Sequence, residues 1–150
     1  MPISQKLIFR KINFILRDMQ RLKPISLLSY NDYRKNYDNE VLSERYLERI
    51  LMRVIDINYH LLIESNYASP KDYFESFTRL SSDLRIFSYD FGRRIARFSG
   101  LRNRLAHEYD EIDENKICKE VKNIFKELPQ YLRAVEKFIN KSQKQKKLIQ

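Results

Sequence analysis

Turn-forming residues are scarce: two glycines and four prolines serve a chain of 150 amino acids. Tight hairpins depend on glycine and similar residues at their central positions, so an all-β fold is excluded and room is left for long helices. Cys118 is the single cysteine, which excludes an internal disulfide and a thiolate-rich metal site. The two histidines, His60 and His107, do not form a zinc-finger spacing with it, so no metal and no other cofactor is expected. Apolar runs never exceed three residues, as in Leu7 to Phe9 or Ile50 to Met52, whereas a membrane-spanning helix needs about 20. The opening MPISQKLIFRKINF has no apolar stretch followed by a small-residue cleavage site. A cytoplasmic protein without a membrane partner is the expectation.

What is present is apolar content and positive charge. With 43% hydrophobic and 33% charged residues the composition is that of a globular chain, and the net charge is +9. A chain of this size buries roughly 70% of the surface it exposes when unfolded, enough for one core and too little for two.

Apolar residues recur at helical steps. Leu7, Ile8, Ile12, Ile15, Leu16, Met19 and Leu22 predict an amphipathic helix from Ser4 to Leu22, stopped by Pro24. A tyrosine-rich connector follows (Tyr30, Tyr33, Tyr37), and then a helix from near Asn39 to Ser65 carried by Leu47, Ile50, Leu51, Val54, Ile55, Asn58, Leu61 and Leu62. Ser69-Pro70 reads as the start of a shorter helix through Tyr73, Phe74, Phe77 and Leu80. Ser88 caps a fourth helix that ends near Ala106, and Asp113 caps a fifth that Pro129 should kink or break. The expected architecture is all-α, an up-and-down bundle of about five helices over residues 1–140, followed by a frayed, cationic tail over 141–150.

Charge is unevenly placed. Arg93, Arg94, Arg97, Arg102 and Arg104 fall within twelve residues that contain no acid, and Glu108, Asp110, Glu111, Asp113 and Glu114 follow at once. Guanidinium groups match phosphate oxygens, so this helix is a candidate RNA contact, with Arg97 and Arg104 as phosphate ligands. The alternative is that these arginines pair with acids on neighbouring helices.

The stretch GLRNRLAHEY contains Arg-x4-His-x-Tyr. At about 100° per residue, Asn103 and His107 share a helix face while Arg102 and His107 stand about 140° apart. For both to act on one phosphate, the helix must end between them or a second copy must complete the site. The residue types suit RNA cleavage without metal: an imidazole that titrates near neutrality can move the 2′-hydroxyl or leaving-group proton, and an arginine can stabilise charge on the phosphoryl oxygens. A helix-capping His107 and an Arg102 paired with the acidic turn remain the structural alternative.

RNRLAHEYDEID, preceded by YLERILMRVIDINYHLLIE and SPKDYFESF, resembles the HEPN-domain proteins of the HepT family over roughly residues 4 to 140. That resemblance implies a helical bundle acting as a homodimer, a metal-independent ribonuclease, and the toxin role in a type VII toxin–antitoxin pair. It places Arg102 and His107 at the catalytic positions and gives Asn103 an auxiliary role in catalysis or RNA binding. Tyr109 is then the residue to which the partner, an MntA-type minimal nucleotidyltransferase antitoxin, transfers AMP. The substrate is RNA, either tRNA or mRNA.

Two other readings stay open on the sequence. One is a non-catalytic subunit that docks a nucleotidyltransferase and presents its substrate, and the other an RNA-binding protein that does not cleave. Asp56 and His60, four apart, either line the cleft or orient Arg102, or form an ordinary hydrogen-bonded pair. Tyr30, Tyr33 and Tyr37 either stack on bases or cover the edge of the core, and Cys118 reads as a small core residue.

Overall fold

The computed structural model describes residues 4–108 and 110–149, with side chains over 4–108 and 110–145. These residues form seven helices and no strand: α1 (Gln5–Ser26), α2 (Tyr30–Tyr33), α3 (Tyr37–Glu64), α4 (Tyr73–Ser82), α5 (Tyr89–Ala96), α6 (Phe98–His107) and α7 (Glu114–Ile149). None of them is long and apolar enough to cross a membrane. The all-α bundle follows from the stripes. Ile8, Ile12, Ile15 and Leu22 of α1 bury against α3, and Ile117, Val121, Ile124, Val135 and Ile139 of α7 complete the core.

α3 is the central element and packs on α1, α4, α6 and α7. Its buried positions include one amide, Asn58, which no solvent reaches. A buried amide requires partners, and Asn58 has two: the Tyr131 hydroxyl donates to its Oδ1 at 2.5 Å, and its Nδ2 donates to Ser76 Oγ at 3.2 Å. Helices α3, α4 and α7 are thereby tied at one buried point.

Helix boundaries depart from the sequence expectation in four places. α1 passes through Pro24 to Ser26, because a proline so near the helix end removes a single backbone bond while Ile25 anchors the last turn in the core. The helix expected at Ser69-Pro70 begins instead at Tyr73, capped by Asp72, whose side chain accepts from the Glu75 N–H at 2.8 Å. Pro70 lies buried in the connection. The helix expected over residues 88–106 is divided at Arg97 into α5 and α6. There the Ser99 hydroxyl donates to the Ala96 carbonyl at 2.7 Å and Gly100 N–H donates to the Arg97 carbonyl at 3.1 Å, tightening the turn. Finally, α7 continues through Pro129 without a break. It also carries the backbone helix through residues 141–149.

The remaining two elements beyond the expected five are the α5/α6 division and the single turn α2 inside the connector, capped by Ser29. Ser88 and Asp113 cap α5 and α7 as read from the sequence, donors being Phe91 N–H at 3.1 Å and Asn115 N–H at 3.0 Å. Close approach of α4 and α5 requires Gly92, since a Cβ there would lie 2.6 Å from Ser81 Oγ.

Candidate active site

α6 carries the arginine–histidine constellation. Phe98, Leu101 and Leu105 bury one side of the helix, and Arg102 sits at the margin of that side, half-buried. Its Nε donates to the sulfur of Met52 on α3 at 2.7 Å, and its guanidinium carbon lies 5.2 Å from the centre of the Tyr73 ring at the start of α4. Tyr73 is itself held edge-on by Tyr59, ring centres 6.3 Å apart. Burial, and then the neighbouring Tyr73, Asp72 and Glu75, push the Tyr59 phenol up, so it stays neutral.

No carboxylate pairs with Arg102 among the described residues. A sulfur atom and an aromatic face orient the guanidinium without neutralising it, which leaves its charge for an external anion. The acidic turn that sequence alone offered as a partner goes elsewhere. Glu114 accepts from the Tyr30 hydroxyl at 3.0 Å, and the Glu40 carboxyl on α3 is pushed up by burial and then by Glu114 and Asp113.

His107 is the last residue of α6 and is exposed. The helix does not end between Arg102 and His107, so the divergence of about 140° holds within one chain. Asn103, also exposed, shares the face of His107. Gly100 lies on that face too and leaves it open, with Arg104 folded back so that Nη1 is 3.8 Å from where a Gly100 Cβ would stand. Arg104 Nε is buried without a hydrogen-bond acceptor. Arg97 is exposed at the α5/α6 junction, over the Phe98 ring. Tyr109 lies outside the described residues.

Arg94 does follow the pairing alternative, reaching buried Glu127 on α7 at 2.9 Å. Asp56 and His60 do not serve Arg102: Asp56 pairs with Lys11 at 3.3 Å, and His60 Nδ1 is 3.9 Å from Glu64. Tyr33 is buried at the core edge, while Tyr37 is largely exposed. Among the described residues no three of His, Cys, Asp and Glu converge as metal ligands.

Met52 and Tyr73, which hold Arg102, escaped the sequence reading. So did a cluster around Asp18, a buried carboxylate on α1 approached by Arg53, Arg49 and Arg21. Its sequence signals were an acid inside the apolar stripe of α1 and the four-residue spacing of Arg45, Arg49 and Arg53 on α3.

A family model described as "Ribonuclease HepT-like" matches residues 15–135 of the chain. A curated protein described as "tRNA nuclease HepT", from Aphanizomenon flos-aquae (strain 2012/KM1/D3), is 34% identical over 139 residues, covering 91% of this chain and 92% of that protein. A solved structure described as "Crystal structure of the toxin-antitoxin with AMP-PNP" aligns with a TM-score of 0.71 at 20% identity, covering 91% of this chain and 96% of the other. At that identity the likeness is one of fold.

Proposed function

The chain belongs to the HepT-like ribonuclease family, and from that membership we propose that it is the RNA-cleaving toxin of a type VII toxin–antitoxin pair, acting on tRNA as a homodimer. The observation that carries this reading is the state of Arg102. Its guanidinium is held in place yet left un-neutralised, five residues before an exposed histidine on the same helix. Arg94, by contrast, is committed to the carboxylate of Glu127.

The divergence of Arg102 and His107 supports a site shared between two copies, Arg102 of one facing His107 of the other. In that site one His107 accepts the 2′-hydroxyl proton as the 2′-oxygen attacks the adjacent phosphorus. The bond from phosphorus to the 5′-oxygen breaks, and that oxygen takes its proton from water. Arg102 stabilises the charge that develops on the non-bridging oxygens. Asn103 orients His107 or a phosphate from the same face, and Arg97 and Arg104 bind flanking phosphates. No metal is required for these transfers.

Silencing follows from position in the chain. Tyr109 stands two residues beyond His107, so AMP transferred to it by an MntA-type nucleotidyltransferase antitoxin adds a phosphate and a nucleotide beside the catalytic imidazole. The reading is tested by incubating the purified, unmodified protein with total cellular RNA in excess chelator, with His107→Ala alongside. Cleavage that only the histidine protein performs is the expected result. If neither protein cuts, and mass spectrometry finds no AMP on Tyr109, the chain is instead a partner-binding subunit.

A further inference from the structure

The face shared by α1 and α3 carries a second concentration of guanidinium groups, one that the chemistry above does not use. Asp18 is fully buried. Arg53 Nη1 reaches its Oδ2 at 2.6 Å, Arg49 Nε reaches the same oxygen at 3.1 Å, and Arg21 Nη1 stands 3.7 Å from Oδ1. One carboxylate balances one of these cations, so the cluster keeps positive charge. Arg53 is braced from the other side by the Phe14 ring, at 5.0 Å, with Arg17 over the same ring at 4.6 Å.

A buried carboxylate under several arginines is weak as a source of stability, because desolvation offsets the attraction. An aliphatic residue at position 18 would continue the apolar stripe. What the arrangement does achieve is orientation: the guanidiniums of Arg49 and Arg53 are fixed while part of each still meets solvent, with side-chain exposures of 33% and 22%. Arg45, Arg49 and Arg53 follow one another up α3 at steps of about 6 Å. With Glu48 and Met52 they line a groove of about 260 Å³, in which Arg45 approaches Glu48 at 3.8 Å. Met52 is the residue whose sulfur receives Arg102. The groove and Arg102 therefore share Met52.

We propose that Arg45, Arg49 and Arg53, organised by Asp18, form a phosphate-binding track that holds the RNA strand alongside Arg102. The inference rests on the nuclease reading. An RNA strand is favoured over an acidic protein because the donors are forked, repeat at a regular step and are linked to Arg102 through Met52.

The test measures anisotropy of a short fluorescein-labelled single-stranded RNA on full-length His107→Ala protein, across a salt series. Adding Arg45→Gln and Arg49→Gln should weaken binding about tenfold and flatten the plot of log affinity against log salt by about 0.7 for each phosphate no longer neutralised. Lys35→Gln with Lys119→Gln, which removes the same charge from α7 and the turn after α2, should change neither. Should loss of Arg49 unfold the chain, Arg45→Gln alone, whose ion pair is with Glu48 and not Asp18, should still weaken binding about threefold. Arginine variants that bind as tightly as the lysine control overturn the track. If they bind RNA normally but lose assembly with a second copy or an acidic partner, the face is a protein interface and the proposal is again overturned. Unchanged binding alongside His107-dependent cleavage by the unsubstituted protein sinks the track alone; a parent that binds no RNA sinks the RNA reading with it.

Discussion

If Arg102 and His107 act from opposite copies, two inactive variants should restore each other. Arg102→Ala retains its histidine and His107→Ala its arginine. A heterodimer of the two then contains one site with both groups and one with neither. Random assembly from equal amounts makes half the dimers mixed, and half the sites in those are whole, so activity should return to about a quarter of that of the unsubstituted protein. Heterodimers isolated by a different tag on each variant should reach about half. The geometry sets these figures, since α6 continues through His107 and turns it about 140° from Arg102. The assay is cleavage of a labelled tRNA, with native mass spectrometry to establish that mixed dimers form. Mixed dimers that stay as inactive as either parent refute opposite-copy pairing. That outcome would place both residues in one chain's site, or require a histidine from each copy in every site.

Tyr131→Phe removes the donor to Asn58 Oδ1 and strands a fully buried acceptor, which should lower stability by about 2 kcal/mol and Tm by roughly 5 °C; urea titration and thermal melting read both. Burial raises the phenols of Tyr33 and Tyr131 above the ordinary 10.0, so above that pH the unfolded chain releases protons that the folded one keeps. Stability should then fall with rising pH by about 1.4 kcal/mol per pH unit for each phenol. Stability that is level between pH 10 and 11 in urea titrations would contradict this. Cys118 is 4% exposed, and burial, partly countered by Lys122, pushes its thiol up; Ellman's reagent should label it stoichiometrically only after unfolding.

Apolar periodicity was enough to locate α1, α3 and α7, because each buries one continuous stripe of a long helix. The caps at Ser88 and Asp113 were equally legible, being local bonds between a side chain and a backbone group two or three residues on. Boundaries decided by competition were not. Ser69-Pro70 and Asp72 both carry start signals within four residues, and only the folded chain shows that Asp72 prevails. At the division near Arg97 a serine hydroxyl satisfies a carbonyl inside an otherwise helical pattern, which leaves no mark on periodicity.

The same distinction governs the site. Five arginines within twelve residues announce positive charge, but the amount left for an external anion depends on partners far away in sequence. Arg94 is neutralised by Glu127, 33 residues on, whereas Arg102 is held by Met52, 50 residues back, and by the ring of Tyr73. The first arrangement removes a charge from the surface and the second preserves it while restricting where it points. For stabilising a phosphoryl oxygen the second is what matters, since a guanidinium already committed to a carboxylate would have to break that pair when substrate arrived. The resemblance to the HepT family singled out Arg102, but its fitness for the proposed role rests on having no acid beside it among the described residues, which only the packing of α3 and α4 against α6 reveals.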